Sequence, residues 1–315
     1  MDMLDGLLDG PRARSAFLLR SIMSPPWSIR IEDESPLTVV APISGWAWIV
    51  PPDGDAVRLV PGDIAVATGG GHYTVADHPD TEPSVIVYPG QRCTSAADGR
   101  SLVDEWNLGI RTWGEHADGA TVLLTASYER AGEVSRALLA ALPPLLAVRR
   151  EEWDSPLVAL IAHESNRDGP GQRAMLDRLL DALVIAVLRT WFGRQRDKAP
   201  AWYRAQGDPV VGKALRLLQH APEHPWTVAA LAKEVGVSRA VLARRFSDLV
   251  GEPPMAYLTG WRLALAADLV CQPGLTLEAV ARQVGYATAF ALSAAFKRER
   301  GISPQQHRAL AAAAS

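Results

Sequence analysis

WTVAALAKEVGVSRAVLARRFSDLVGEPP (226–254) returns further along the chain as LTLEAVARQVGYATAFALSAAFKRERGISP (275–304). Val228, Leu231, Ala232, Val235 and Gly236 reappear as Leu277, Val280, Ala281, Val284 and Gly285, a shift of 49. Ser238, Leu242, Phe246, Gly251 and Pro254 reappear as Thr288, Leu292, Phe296, Gly301 and Pro304, a shift of 50, so the second turn is one residue longer. In each copy, apolar residues at helical spacing run to a Gly, where the chain can turn with positive φ, and a hydroxyl residue then opens a second helical run. The pattern predicts two helix-turn-helix motifs. Ser238 and Thr288 are placed to accept an unpaired N–H at the start of the second helices, and Thr227 and Thr276 ahead of the first. Between the copies, PMAYLTGWRLALAADLVC (254–271) predicts one long helix with Leu258, Trp261, Leu265, Ala266 and Leu269 on an apolar face.

The block from about Pro209 to Arg308 resembles the C-terminal DNA-binding domain of the AraC/XylS family of bacterial transcription regulators. The residues that carry the resemblance are GVSRAVLARRF in the first motif, the connecting YLTGWRLALAADLV, and VGYATAFALSAAFKRERGISPQQHR, which ends in the family's G-x-S-P-x-x-x-R. The resemblance implies an all-α double helix-turn-helix domain over 203–310 that binds double-stranded DNA, with the second helix of each motif in the major groove. The matching outward positions are Arg239, Ala240, Ala243 and Arg244 in the first motif and Ala289, Phe290, Ser293 and Ala294 in the second. Ser238 and Thr288 at the helix starts complete the expected DNA-facing set, with Lys297 and Arg298 holding the phosphate backbone. The family often carries Arg where this chain has Ala294, which removes the second head's best base-edge donor. The connecting helix, at about 1.5 Å per residue, spans roughly 27 Å against the ~34 Å turn of a duplex, so two heads can read one side of DNA with some bending.

Charge is divided in the same sense. From Trp202 onward there are 13 Lys+Arg against 8 Asp+Glu, which leaves 19 against 27 for the rest of the 315 residues. A basic C-terminal third suits a phosphate-facing surface, and the acidic remainder argues against nucleic-acid contact there. No apolar run approaches the ~18 residues needed to cross a bilayer, so no membrane partner is expected. MDMLDGLLDGPRARS lacks the basic and apolar regions of a secretory signal, and the expected location is the cytoplasm. Two cysteines, Cys93 and Cys271, provide no disulfide framework and no metal cluster. Cys271 is expected to be a small buried filler, and Cys93, in PGQRCTSAADG, an exposed thiol.

The first 128 residues read as short strands rich in Val, Ile, Trp and Thr between Pro/Gly breaks: WSIRIE, LTVVAPISGWAWIVP, AVRLVPGDIAVATGGGHYTVA, SVIVYPG and TVLLTASY. PGD (61–63) followed by GGGHYTVAD (69–77) resembles the turn-and-strand region of cupin barrels, and the wider stretch resembles the sensor domain of one branch of the same regulator family. That resemblance implies a small-molecule effector. Metal-dependent cupins use an H-x-H pair with a following Glu. Here no His precedes His72, and neither His72, His78 nor His116 is paired, so no metal, cofactor or catalytic residue is expected. Trp46, Trp48, His72 and Tyr73 are the candidate effector lining, because small-molecule pockets are mostly apolar with a few placed polar groups.

From Glu129 to Phe192 the pattern is helical. SRALLAALPPLLAV, PLVALIAHES and GQRAMLDRLLDALVIAVLRTWF follow one another, and Leu176, Leu179, Leu180, Leu183, Val184 and Val187 cover more than one stripe of the last. A helix apolar over so much of its surface must bury it, either by packing on the barrel or by pairing with the same helix of a second subunit. Relatives in the resembled family commonly dimerise through such a segment, so the resemblance implies a dimer through 129–194, with a linker over 194–203 and Asp208–Pro209 opening the next helix as N-cap and first residue. The fold class is multidomain α+β: a cupin-like β-barrel (1–128), a helical dimerisation segment and the double helix-turn-helix domain. The expected function is effector-controlled transcription regulation by a homodimer, with RNA polymerase as a candidate partner. The alternative is a metal-dependent cupin enzyme fused to a DNA-binding module.

Overall fold

The computed structural model describes residues 16–128, 139, 141–153, 155–195 and 199–313, which fall into two compact units divided near Gln195. Residues 1–15 of the expected barrel and 129–138 of the expected helical segment, Leu138 included, lie outside them. The N-terminal unit holds thirteen strands among the described residues. They are β1 (Ala16–Met23), β2 (Ser28–Ile31), β3 (Leu37–Ser44), β4 (Ala47–Val50), β5 (Val57–Leu59), β6 (Ile64–Thr68), β7 (Tyr73–Ala76), β8 (Val85–Tyr88), β9 (Arg92–Ser95), β10 (Asn107–Gly109), β11 (Thr112–Gly114), β12 (Thr121–Tyr128) and β13 (Leu145–Val148).

These strands form two mixed sheets, ordered β10-β11-β1-β12-β3-β6-β13 and β5-β4-β7-β2-β8-β9, and not one closed hydrogen-bonded ring. β1 runs antiparallel to β12 from Ala16↔Tyr128 to Met23↔Thr121 and parallel to β11, while β2 runs parallel to β8. The period of two sends Met23, Val40, Ala65 and Leu123 from the first sheet and Ile29, Ile49, Val75, Val85 and Val87 from the second into one shared core.

LLAV (145–148) is a strand, in contrast to the helix that the leucine spacing predicts. Pro143 and Pro144 lack N–H groups and disfavour helical geometry in the residue before them, so the helical run cannot pass through. The four residues that follow instead pair with β6, and Leu146 and Val148 are buried. Asp63, the acid of the PGD turn, secures the far end of β13. Its buried carboxylate accepts from the N–H groups of Val60 (3.1 Å) and Arg150 (2.9 Å) and pairs with Arg149 at 3.1 Å.

Helices α1 (Leu157–Ser165) and α2 (Gln172–Arg194) complete this unit and pack on each other, with α2 also against β13. Leu176, Leu180, Leu183, Val184, Val187, Leu188 and Phe192 of α2 are all buried within the single chain. Met175 and Leu160 lie outward, 51% and 46% exposed, with Leu179, Ala182 and Ala186 half-buried on the same outward side of α2.

The C-terminal unit is helical: α3 (Ala201–Ala205), α4 (Val211–His220), α5 (Val228–Val235), α6 (Arg239–Val250), α7 (Pro254–Val270), α8 (Leu277–Gln283), α9 (Ala289–Arg300) and α10 (Pro304–Ala313). It has two cores sharing one helix. Tyr257 and Leu258 of α7 join Leu215, Leu218, Leu231, Leu242 and Phe246, whereas Leu263, Ala266, Ala267 and Val270 join Val280, Leu292 and Phe296. The sequence duplication is therefore a duplication of hydrophobic cores, and α7 is the rod between them. Cys271, at the end of α7, is exposed and not a buried filler, because the helix stops there and the apolar face ends at Val270.

Candidate nucleic-acid interface

All four expected caps form. Thr227 Oγ1 accepts from Ala230 N–H (3.1 Å), Ser238 Oγ from Val241 N–H (3.3 Å), Thr276 Oγ1 from Ala279 N–H (3.2 Å) and Thr288 Oγ1 from Ala291 N–H (3.1 Å). Each side chain satisfies one of the unpaired N–H groups that open a helix. The Ser238 and Thr288 hydroxyls act as acceptors here and keep their own O–H to donate outward.

The turns differ as the one-residue offset requires. Val237 N–H donates to Ala232 C=O in the first turn, and Tyr286 N–H donates to Ala281 C=O in the second, so the extra residue is Ala287, exposed between Tyr286 and the cap. Gly285, at φ +79°, packs so closely that a Cβ would meet Arg262 Nη2 at 2.7 Å and Pro222 O at 2.8 Å. That position admits only glycine, for both conformation and space.

The second helix of each motif, α6 and α9, buries Leu242 and Phe246 or Leu292 and Phe296 and turns the opposite side outward. Arg239, Ala240 and Arg244 are exposed and Ala243 is half-buried; in α9, Phe290, Ala294, Lys297 and Arg298 are exposed, with Ala289 and Ser293 half-buried. Every residue expected from the sequence to face DNA thus lies on one of two corresponding surfaces. Among the described residues, neither Arg239 nor Arg244 has a partner within the chain. Arg245 is different. Its Nε (3.0 Å) and Nη2 (2.6 Å) both reach Asp208 Oδ2, while Asp208 Oδ1 accepts from Val210 N–H (3.0 Å) and Val211 N–H (2.9 Å) at the start of α4. Partial burial alone would raise the Asp208 carboxyl, but the Val211 N–H and the Arg245 guanidinium outweigh it and hold the group below the usual carboxylate range.

Two arginines hold the frame behind these surfaces. Arg262, on α7, donates through Nε to Pro222 O (2.6 Å) and through Nη2 to His224 O (2.8 Å), and the same guanidinium abuts Gly285. One side chain therefore ties the loop before α5 to the turn of the second motif. Arg308, the terminal residue of G-x-S-P-x-x-x-R, donates to Val270 O and to Leu275 O (3.0 Å), closing the link between α7 and α8. Sequence reasoning did not single out Arg262; the clue is the one cation in WRLALAADLV, set among apolar residues with a single carboxylate, Asp268, six residues on.

The four residues expected to line an effector pocket do not converge. Pairing of β4 with β7 sets Trp48 opposite Ala76 and Ile49 opposite Val75, so Trp48 lies on the face away from the core and Tyr73 on the face toward it. Trp46 is exposed, donates from Nε1 to Asp77 O (3.0 Å) and has Arg58 over its ring, and His72 is exposed beyond a triple-glycine turn. The Tyr73 hydroxyl is pushed well above its ordinary value by burial and by the Asp33 carboxylate. Cys93 is buried in β9, and burial pushes its thiol up to about 11. The expected exposed loop thiol is thus a core residue, held there by the pairing of β9 with β8. Among the described residues, no group of three His, Cys, Asp or Glu side chains is placed to hold a metal ion, and no helix is long and apolar enough to cross a membrane.

A doubled helix-turn-helix behind a β-rich cupin unit defines the class: a DNA-binding regulator with a second domain. Comparison with known proteins agrees. The cupin family pattern matches residues 2–193 and a helix-turn-helix domain pattern matches 231–309. A Streptomyces antibioticus protein described as an AraC-like transcription regulator is 30% identical over 98% of both chains. The HTH-type transcriptional regulator AlkR of Acinetobacter baylyi is 28% identical over 98% of this chain and 99% of its own. A solved AraC-type DNA-binding regulator from Chromobacterium violaceum is 28% identical over 33% of this chain and 94% of that one, with a TM-score of 0.31. The chain belongs to the AraC family of transcription regulators.

Proposed function

We propose that this regulator reads its operator with the outward faces of α6 and α9, and that Arg239 and Arg244 make the principal base contacts. The observation that carries the reading is that both arginines are exposed and have no partner among the described residues, while the adjacent Arg245 is committed to Asp208. An arginine presents a fork that fits guanine O6 and N7. Lys297 and Arg298, at the far end of α9, hold phosphates and give no sequence information. The test is a genome-wide map of sites bound by the full-length protein, compared with that of an Arg239→Ala, Arg244→Ala variant. The reading expects the variant to lose the shared sequence of the wild-type sites, and an unchanged map would overturn it.

The protein acts in the cytoplasm as a regulator and not as an enzyme, and its cupin unit takes a small organic effector that biases the two heads between arrangements. The core between the two sheets suits such a ligand better than the outer faces, because Tyr73 of the second sheet, Trp113 of the first and Trp106 all belong to it, and the rings of Trp106 and Trp113 lie 4.7 Å apart. A metabolite that raises the melting temperature of the wild type but not of Tyr73→Phe, with ligand-free DNA affinity equal in both, would support this placement; equal shifts would reject it. The chain forms a homodimer through the outward side of α2, where Met175, Leu179, Ala182 and Ala186 make an apolar stripe at spacings of four and three. RNA polymerase is the expected further partner at promoters.

A further inference from the structure

Phe290 is 84% exposed, more than any other large hydrophobic side chain among the described residues. It sits in the first turn of α9, two residues after the Thr288 cap, and the next outward position on the same stripe is Ala294, with Ala291 beside Phe290 also exposed. Three and four residues further along, the character reverses to Lys297 and Arg298, both exposed. The first head has the opposite order: Arg239 and Arg244 occupy the positions that match Ala289 and Ala294, Ala240 matches Phe290, and Ser247 and Asp248 match Lys297 and Arg298. The second helices have therefore diverged at the positions that face outward, while their buried anchors, Leu242 and Phe246 in α6 and Leu292 and Phe296 in α9, are the same.

A phenyl ring left 84% exposed is unfavourable in water, and an apolar leading turn followed by two cations matches one kind of surface. It is a DNA major groove whose floor presents apolar groups and whose rims are phosphates. The only apolar group on a base edge in that groove is the C5-methyl of thymine, and Phe and Ala are side chains that can contact it. Cations at the far end of α9 would anchor the helix by phosphates without competing for base edges.

Resting on the reading that α6 and α9 face DNA, we propose that the two heads read by different chemistry. The first selects guanine through arginine, and the second selects thymine through its methyl group, with Phe290 as the specificity-determining residue and Ala291 and Ala294 leaving room for it. The operator should accordingly be asymmetric, with a thymine step where α9 lies.

The test uses full-length protein and a duplex selected from a random pool by the wild type, with each thymine replaced in turn by deoxyuridine, which keeps base pairing and removes only the methyl. Burying one methyl is worth about fourfold in affinity. One or two replacements in the α9 half-site should therefore weaken the wild type about fourfold each, and none in the α6 half-site should do so. Phe290→Ser, which alters a largely exposed position and should melt as the wild type does, should bind the thymine duplex more weakly and bind thymine and deoxyuridine duplexes equally. Phe290→Leu should keep the difference. Cytosine at the critical position should weaken binding, and 5-methylcytosine should restore part of it. If wild type binds both duplexes equally, or Phe290→Ser still distinguishes them, the thymine proposal fails while DNA reading itself stands. If no duplex is enriched from the pool, it is the underlying reading that fails. If Phe290→Ser binds every duplex as wild type does but loses transcriptional activity, Phe290 serves a protein partner and the proposal is overturned.

Discussion

Replacing Arg244 by Ala isolates the contribution of one base-reading group with little risk to the fold. Arg244 is exposed in the middle of α6, between the buried anchors Leu242 and Phe246, and has no partner within the chain among the described residues. Alanine has the higher helix propensity, so α6 should not weaken. The melting curve should be unchanged within about 0.5 kcal/mol, as for a surface substitution away from packing and caps. A bidentate pair with guanine is worth about 1–3 kcal/mol of discrimination against the wrong base, or roughly 5- to 150-fold in relative affinity. Fluorescence anisotropy with operators mutated one base pair at a time, at constant salt, should show the variant losing preference at a single position and keeping it elsewhere. The salt dependence of binding should stay the same. A uniform loss over all operators, with the salt slope reduced by about one, would mean that Arg244 contacts a phosphate, and the assignment would be refuted.

Asp208→Asn removes the charge that both caps α4 and holds Arg245, and should lower the melting transition of the C-terminal unit by about 1–2 kcal/mol, roughly 4–16 °C. Because the folded carboxyl lies below its unfolded value of about 3.9, its contribution is present above that pH and is lost as pH falls through the folded value. The gap between wild type and variant should therefore close below about pH 4; a gap independent of pH would show that charge is not the cause. Glutamate at both Met175 and Leu179 should give a folded monomer in sedimentation, whereas glutamate at Leu180 and Leu183, both buried, should unfold the N-terminal unit. A dimeric Met175, Leu179 double variant would exclude that face. One thiol, that of Cys271, should react promptly with a disulfide reagent at pH 8, and Cys93, buried and titrating near 11, only on unfolding; rapid modification of a Cys271→Ser variant would contradict the burial.

The amino-acid sequence by itself determined the parts of this protein whose causes are local. Four Ser/Thr caps, two positive-φ glycines and the repeated Leu/Phe spacing each act within a few residues, so the two helix-turn-helix motifs and their outward positions could be read directly. The same holds for the alternation that marks the β-rich half. Only the tertiary structure decided what depends on partners distant in sequence. LLAV became a strand because the edge of β6 was available to it, and Trp48 and Tyr73 separated because the register of β4 on β7 assigns them opposite faces. Cys93 was buried by its pairing with β8, and α2, apolar on several stripes, had its inner face chosen by packing within its own unit. Arg245 and Arg244, adjacent and identical in type, received different tasks because Asp208, 37 residues away, lies within reach of one and not the other. Local hydrogen bonds and periodicity are written in neighbouring residues; strand register and the choice of an ion-pair partner arise only when segments distant in the chain meet.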